Sequence, residues 1–173
     1  LALPMALMAQ NKTFTIDEAV IGVWRELYPE DLYGLGIRPE TKTWTKWDGY
    51  NFVETSFDLK KSNELFSYND VADALKAMSI TNRLNVYNYT WKSKNEIEFA
   101  SADLVFVFDV KSKKITKADF VESGHENTKY CAANSSFAYT DGNNLFVKSN
   151  GETLNISNDS NTEIVYGQTV HRN

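Results

Sequence analysis

The stretch from Tyr130 to Ile156, YCAANSSFAYTDGNNLFVKSNGETLNI, consists of short aromatic and β-branched runs separated by turn residues. Asp141-Gly142 separates residues 136–140 from 144–148, and Asn150-Gly151 separates 145–149 from 152–156. These dipeptides favour tight hairpins, because glycine has no Cβ to clash at positive φ. The stretch therefore predicts consecutive antiparallel strands.

The same pattern recurs upstream, over residues 91–117 and, more compressed, over residues 43–67, where Asp48-Gly49 marks the turn. Sliding the middle unit by 39 positions places Val107 on Phe146 and Ile115 on Leu154. Repeats of about 40–45 residues with four strands each are typical of propeller blades. We therefore predict a mainly β fold, a partial β-propeller of about three four-stranded antiparallel blades. The alternative is an antiparallel sandwich whose hairpins repeat by chance.

Two further features concern strand burial and edges. Residues 104–108 are continuously apolar, as expected of a strand covered on both faces. Three blades do not close a ring, so we expect further repeats or a partner to cover the end strands.

Two helices are predicted beside the strands. A short N-terminal helix spans residues 14–28, with Thr15 as its cap and Pro29 after its end. A helical insertion spans residues 69–78 between the first two blades, with Asp70 in the capping position. The predicted domains are residues 1–10 as the remnant of a signal peptide, 11–42 as N-terminal helix and lead-in, and 43–173 as propeller blades.

The apolar run of residues 1–10 stops abruptly at Asn11-Lys12, which is typical of the end of a signal peptide. A short buried N-terminal segment is the alternative. Export to the periplasm or surface of a bacterium agrees with the single cysteine, since eukaryotic secreted domains usually carry disulfides. No apolar stretch of transmembrane length occurs, so no membrane span is expected.

The composition excludes several classes of function. The 173 residues carry a net charge of −5, which argues against a nucleic-acid binder. The sequence contains one cysteine and two histidines without clustered ligand spacing, so neither a metal site nor a cofactor is predicted. Cys131, in a strand-like run, is expected to be a small buried hydrophobe, and His125 to lie in a solvated loop. The tryptophans are expected to pack in blade cores, and a stacking surface for peptide or sugar is the alternative.

Four stretches together resemble the N-terminal region of bacterial dipeptidyl peptidase IV-type enzymes of the prolyl oligopeptidase superfamily. They are FTIDEAV at 14–20, LYPEDLYGL at 27–35 followed by Arg38-Pro39, LFVK at 145–148 with Leu154 and Ile156, and EIVYGQTVHRN at 163–173. The last is the most specific. The blade motif departs from the family's Ser-Pro-Asp-Gly, since residues 132–135 read AANS and residues 92–95 read KSKN.

The resemblance implies an exported serine exopeptidase that releases X-Pro or X-Ala dipeptides from peptide N-termini. It implies a longer propeller packed on a C-terminal α/β-hydrolase domain, a peptide substrate and a homodimer. A glutamate pair on the propeller would bind the free amine of the peptide, because carboxylates match an ammonium. The family also has an arginine in the second blade, but residues 96–103 contain none, which leaves the peptide specificity open.

No Gly-x-Ser-x-Gly motif occurs in the 173 residues, so no catalytic residue is assigned and the chain alone is expected to be inactive. His171, Arg172 and Asn173 match the segment that leads into the family's glutamate loop, and we assign them as candidate substrate-gating residues. Structural pairing is the alternative role for Arg172. The alternative function for the whole chain is a non-enzymatic envelope β-protein that binds peptide or glycan.

Overall fold

The computed structural model describes residues 15–17, 20 and 34–167. The chain divides into two compact units, Leu1–Leu32 and Tyr33–Asn173. In the first unit Ile16 and Asp17 are helical. The rest of the helix predicted over residues 14–28 lies outside the described residues, and so does the segment 1–10.

The second unit contains three four-stranded antiparallel sheets in chain order, which we call blades 1, 2 and 3. Each blade is a simple meander in which every strand pairs with the next strand along the chain. Blade 1 comprises β1 (Gly36–Ile37), β2 (Thr43–Asp48), β3 (Asn51–Ser56) and β4 (Ser62–Ser67); blade 2 comprises β5 (Tyr89–Trp91), β6 (Glu96–Ala100), β7 (Leu104–Asp109) and β8 (Lys114–Phe120); blade 3 comprises β9 (Glu126–Cys131), β10 (Ser136–Asp141), β11 (Asn144–Ser149) and β12 (Glu152–Asn155). The predicted partial propeller is confirmed.

The predicted hairpin turns are present, and glycine and asparagine supply their positive φ. Asp141 pairs with Asn144 across a two-residue loop in which Gly142 has φ 56°. Asn150 and Gly151, at φ 53° and 81°, both occupy the left-handed region between β11 and β12. A loop with two such residues has the twist of a type I′ turn, which joins antiparallel strands without splaying them.

Aromatic side chains fill the space between blades 1 and 2. Phe52, Phe66, Phe99 and Phe108 are fully buried. The Phe66 ring centroid lies 4.7 Å from that of Phe52 and 4.9 Å from that of Phe108. Such ring pairs add stabilisation beyond the area that they bury, so this cluster joins the two blades.

A second cluster joins blades 2 and 3 through Val105, Val121, Phe137 and Tyr139. Strand β7 contributes to both clusters, since Phe106 and Phe108 belong to the first cluster and Val105 to the second. Successive side chains of a strand point to opposite faces, so a strand between two packed layers must be apolar throughout. The prediction that residues 104–108 are covered on both faces is confirmed.

The helical insertion forms α1 (Tyr68–Ala77), which buries Val71 and Leu75. Its cap is Ser67 rather than the predicted Asp70. The Asp70 backbone N–H donates to the Ser67 hydroxyl at 3.3 Å, and the Ser67 backbone N–H donates to the Asp70 carboxylate at 2.8 Å. Asp70 is thus the third residue of the helix and forms a reciprocal capping box with Ser67.

The expectation for Cys131 is also wrong. Cys131 is exposed, because the preceding Tyr130 packs on Phe137 and alternation turns the cysteine to the opposite face. Residues 164–166 form no strand. The Ile164 N–H donates to the nearby Asn161 carbonyl at 3.3 Å, and the Tyr166 N–H donates to the Asn143 carbonyl in the β10–β11 hairpin at 3.0 Å.

Candidate functional site

The segment of residues 157–167 is held against blade 3 by two asparagines of the β10–β11 hairpin. The Asn143 side-chain amide donates to the Thr162 carbonyl at 2.5 Å, and that of Asn144 donates to the Asp159 carbonyl at 3.0 Å. The Asn144 side-chain oxygen accepts from the Ser157 hydroxyl at 2.7 Å and from the Asp159 N–H at 2.8 Å. Asn144 therefore joins the segment to the blade at three points.

A carboxylate–phenol pair closes this segment on itself. The Tyr166 hydroxyl donates to the Asp159 carboxylate at 2.8 Å. The Asn161 backbone N–H and the Tyr166 hydroxyl lower the pKa of Asp159, and the bond to the Asp159 carboxylate raises the pKa of Tyr166. Near neutral pH the carboxylate is therefore ionised and the phenol remains protonated.

Gly167 lies directly on blade 3. A Cβ at this position would come within 3.0 Å of Thr140 Cγ2 and 3.1 Å of Leu145 Cδ1, and the residue has φ 69°. Both the close approach and the positive φ require glycine. The predicted gating residues His171, Arg172 and Asn173 follow after three intervening residues and lie outside the described residues, so the structure does not test them.

Arg38, to which the sequence assigned no role, connects blades 1 and 2. Its Nη1 atom lies 2.7 Å from Glu54 Oε2 in blade 1, and its Nε atom donates to the Lys94 carbonyl in blade 2 at 2.8 Å. The guanidinium carbon lies 5.3 Å from the ring centroid of Trp91. No arginine occurs in the blade 2 window 96–103, but this one from the lead-in reaches the same blade. All its groups are engaged in structural contacts.

A buried polar network lies beside Arg38. The Thr45 hydroxyl accepts from Trp91 Nε1 at 3.0 Å and lies 3.1 Å from the Tyr89 hydroxyl. The Tyr89 hydroxyl also donates to the Gly34 carbonyl at 2.6 Å. Burial raises the pKa of Tyr89 despite the contact with Thr45, so the phenol stays neutral. This network fixes the edge strand β5 against blade 1.

A cleft of about 300 Å³ opens between blades 2 and 3. Its lining combines apolar with charged side chains: Glu98, Val105, Val107, Lys117, Asp119 and Tyr130. Beside this cleft, Lys148 of blade 3 connects blade 3 to blade 2. Its ammonium lies 3.1 Å from the Asp119 carboxylate and also contacts the Phe120 carbonyl.

A second groove, of about 520 Å³, lies at the end of blades 1 and 2 and is lined by three tyrosines, Tyr50, Tyr68 and Tyr87. Tyr50 and Tyr87 are half exposed. Arg83 also lines the groove, and within the described residues its guanidinium has no partner. Aromatic and arginine side chains of this kind are enriched at recognition surfaces.

His125 lies near the junction of blades 2 and 3. Its ring centroid is 4.5 Å from that of Tyr139, and its Nδ1 atom is 3.9 Å from an Asp141 carboxylate oxygen. His125 lies in the loop before β9, as the sequence predicted, and its imidazole is partly covered. No serine or second histidine joins it among the contacts of residues 34–167.

Over the part of the chain that the structure describes, no group of three or more His, Cys, Asp or Glu side chains converges on a point where a metal ion would fit. Within the same residues, no helix is long and apolar enough to cross a membrane.

No protein-family model matches this sequence, and no curated protein matches it. The structure is similar to that of a provisionally named dipeptidyl aminopeptidase IV from Bacteroides ovatus, with a TM-score of 0.52 and 24% identity, over 82% of this chain and 19% of that one. Dipeptidyl peptidase 4 of Porphyromonas gingivalis also matches, at a TM-score of 0.38 and 15% identity, over 86% of this chain and 22% of that one. The chain therefore spans about a fifth of the length of either protein. The Bacteroides ovatus likeness shows a shared fold.

Proposed function

We propose that this chain is the N-terminal propeller segment of an exported serine exopeptidase that resembles dipeptidyl peptidase IV and releases X-Pro or X-Ala dipeptides. The observation that carries the proposal is the likeness of three consecutive blades to a named dipeptidyl aminopeptidase IV over 82% of the chain. That likeness agrees with the four family-like stretches of the sequence, which were identified independently of the fold.

The proposed role of the segment is architectural and substrate-gating. Arg38, the Thr45 network and Lys148 join successive blades, so the blades keep one relative orientation and form part of a chamber wall. Asn143 and Asn144 anchor residues 157–167, from which the chain continues to the candidate gating residues His171, Arg172 and Asn173. A loop that recognises the free amine of a peptide requires a fixed segment before it. If the binding groups of the loop are free to move, ordering them costs binding free energy.

The proposal includes partners and a location. The catalytic triad would lie in a C-terminal α/β-hydrolase domain of the same protein, and the substrate would be a peptide with a free N-terminus. The protein would be exported to the periplasm or cell surface, and would form a homodimer. The single cysteine agrees with export from a bacterium, since eukaryotic secreted domains usually carry disulfides.

The test uses the native protein from its source cells. An antibody against residues 34–167 captures the protein, its intact mass is recorded, and hydrolysis of a Gly-Pro chromogenic amide is measured. We expect a species much heavier than the 19.7 kDa of this chain, with activity that a serine-directed inhibitor abolishes. An N-acetylated Gly-Pro amide serves as the matched control, and we expect it not to be cleaved.

Two outcomes would contradict the proposal. A heavy species that cleaves the acetylated and free amides equally well would not be an exopeptidase of this kind. A species near the mass of this chain with no hydrolytic activity would favour the second candidate function, a non-enzymatic envelope protein that binds peptide or glycan. The observation in favour of that candidate is the groove of Tyr50, Tyr68 and Tyr87 with Arg83, whose guanidinium has no partner among the residues that the structure describes.

A further inference from the structure

The cleft between blades 2 and 3 has a charge arrangement that strand register determines. Glu98 of β6 pairs with Val107 of β7, and Val107 pairs with Lys117 of β8. The three residues form one row across the sheet and share one face, with the two charged residues on either side of the valine. Two strand spacings separate Glu98 from Lys117, so their Cα atoms are roughly 10 Å apart.

Both charged groups are available to a ligand. The Lys117 ammonium has no ion-pair or hydrogen-bond partner within the described residues, and neither has the Tyr130 hydroxyl on the opposite wall. The Glu98 carboxylate contacts Lys92 at 3.4 Å, but the Lys92 side chain is 50% exposed. A solvated pair of this kind contributes little, so an incoming ammonium can replace it. Asp119, the other carboxylate of the cleft, is already neutralised by Lys148.

The floor and the size of the cleft restrict the ligand further. Val105 and Val107 provide an apolar floor between the two charges, and the volume is about 300 Å³. An extended dipeptide spans about 7 Å between its termini, which lies within the reach of a glutamate and a lysine in the same row. Each terminus would form a charge-assisted hydrogen bond, and a small apolar side chain would lie on the valines.

We propose that this cleft binds a dipeptide-sized zwitterion, with its ammonium on Glu98, its carboxylate on Lys117 and its carboxylate or amide also within reach of the Tyr130 hydroxyl. The site lies between blades 2 and 3, away from the segment of residues 157–167. It does not depend on the proposed peptidase function, because binding is measured without hydrolysis.

The experiment titrates the purified protein with Ala-Ala by isothermal calorimetry, in parallel with N-acetyl-Ala-Ala, Ala-Ala amide and alanine. We expect Ala-Ala to bind with a Kd of about 1 mM or tighter, and each blocked form to bind at least about tenfold more weakly, because each has lost one charged terminus. Weaker binding of alanine would show that the site fits a dipeptide rather than a single amino acid.

Glu98→Gln and Lys117→Gln should each weaken Ala-Ala binding about tenfold, since each removes one charge-assisted contact. Glu64→Gln and Lys129→Gln are matched controls at exposed strand positions outside the cleft, and should leave binding unchanged. Far-UV circular dichroism checks that each variant is folded. Equal binding of blocked and free dipeptide, or no heat of binding with the wild-type protein, would overturn the proposal whatever the variants do.

Discussion

Replacing Arg38 by methionine should destabilise the junction of blades 1 and 2 far more than the loss of one surface charge. The Arg38 and Glu54 side chains are only 12% and 16% exposed, and their closest charged atoms lie 2.7 Å apart. Removing the guanidinium leaves the Glu54 carboxylate buried, and its remaining polar contact within residues 34–167 is the Thr43 hydroxyl at 3.4 Å. An uncompensated charge at such a site is costly because it has lost both water and its partner.

The magnitude follows from the burial of the pair. Breaking a buried ion pair by removing one partner costs about 3–5 kcal/mol, and this pair, which keeps some contact with solvent, belongs at about 3 kcal/mol. With a urea m-value of about 2 kcal/mol/M, the midpoint of unfolding falls by about 1.5 M. Loss of the contact with the Trp91 ring is included in this estimate.

The assay is urea unfolding followed by tryptophan fluorescence. Lys60→Met is the matched control, because Lys60 and Asp58 are 80% and 58% exposed and their charged atoms are 3.8 Å apart. The control should cost less than about 0.5 kcal/mol. The double variant Arg38→Met/Glu54→Met should recover most of the lost stability, since it leaves no buried charge. Equal midpoints for Arg38→Met and Lys60→Met, or a double variant no more stable than the single one, would refute the reasoning.

Phe66→Ala should cost about 3–5 kcal/mol in urea unfolding, because its ring is fully buried between two blades; a loss below 1 kcal/mol would contradict the packing. Ser67→Ala should cost about 1 kcal/mol through loss of the helix cap, whereas Ser67→Asp should restore most of it. Acid should also destabilise the protein. Burial alone would raise the pKa of Asp70, but hydrogen bonds from the Ser67 N–H and the Lys113 ammonium outweigh the effect of burial and lower that pKa from 3.8. The Ser112 hydroxyl and N–H lower the pKa of Asp109 in the same way. Their folded-state pKa values lie below the unfolded value, so this stability is present above pH 3.8 and is lost as the pH falls through the folded values. The free energy of unfolding, measured at steps of pH from 6 to 2.5, should decline below about pH 4. The decline should be shallower in the Asp109→Asn variant. An identical decline in that variant would show that Asp109 does not contribute to the pH dependence.

Much of the fold could be predicted from local patterns. Gly142 and the Asn150-Gly151 pair determine where two hairpins reverse, because positive φ is available at low cost to glycine and asparagine. Errors occurred where a local pattern had two solutions. In the Ser67–Asp70 capping box either residue can serve as the helix cap, and the sequence pattern indicated the wrong one. Cys131 was predicted to be buried, but Tyr130 takes the buried face of the strand, so the next side chain, Cys131, is exposed.

The sites were less predictable than the strands. The sequence did not show what Arg38 contacts, because the Lys94 carbonyl that it reaches lies 56 positions away. The predicted gating residues belong to the part of the chain that the structure does not describe, and they stay a prediction. The sequence did not predict the cleft of Glu98 and Lys117, because only the pairing register of three strands places these two residues in one row.

The sequence by itself determined the elements of this protein: the repeat of short strands, the hairpin turns, the helix after blade 1 and the doubly covered strand β7. These depend on backbone dihedral preferences and on the two-residue period of side chains, which act over a few neighbouring residues. Only the tertiary structure decided which distant side chains meet, such as Arg38 with blade 2 and Lys148 with Asp119. Those contacts depend on how whole sheets pack face to face, and no short stretch of sequence encodes that geometry.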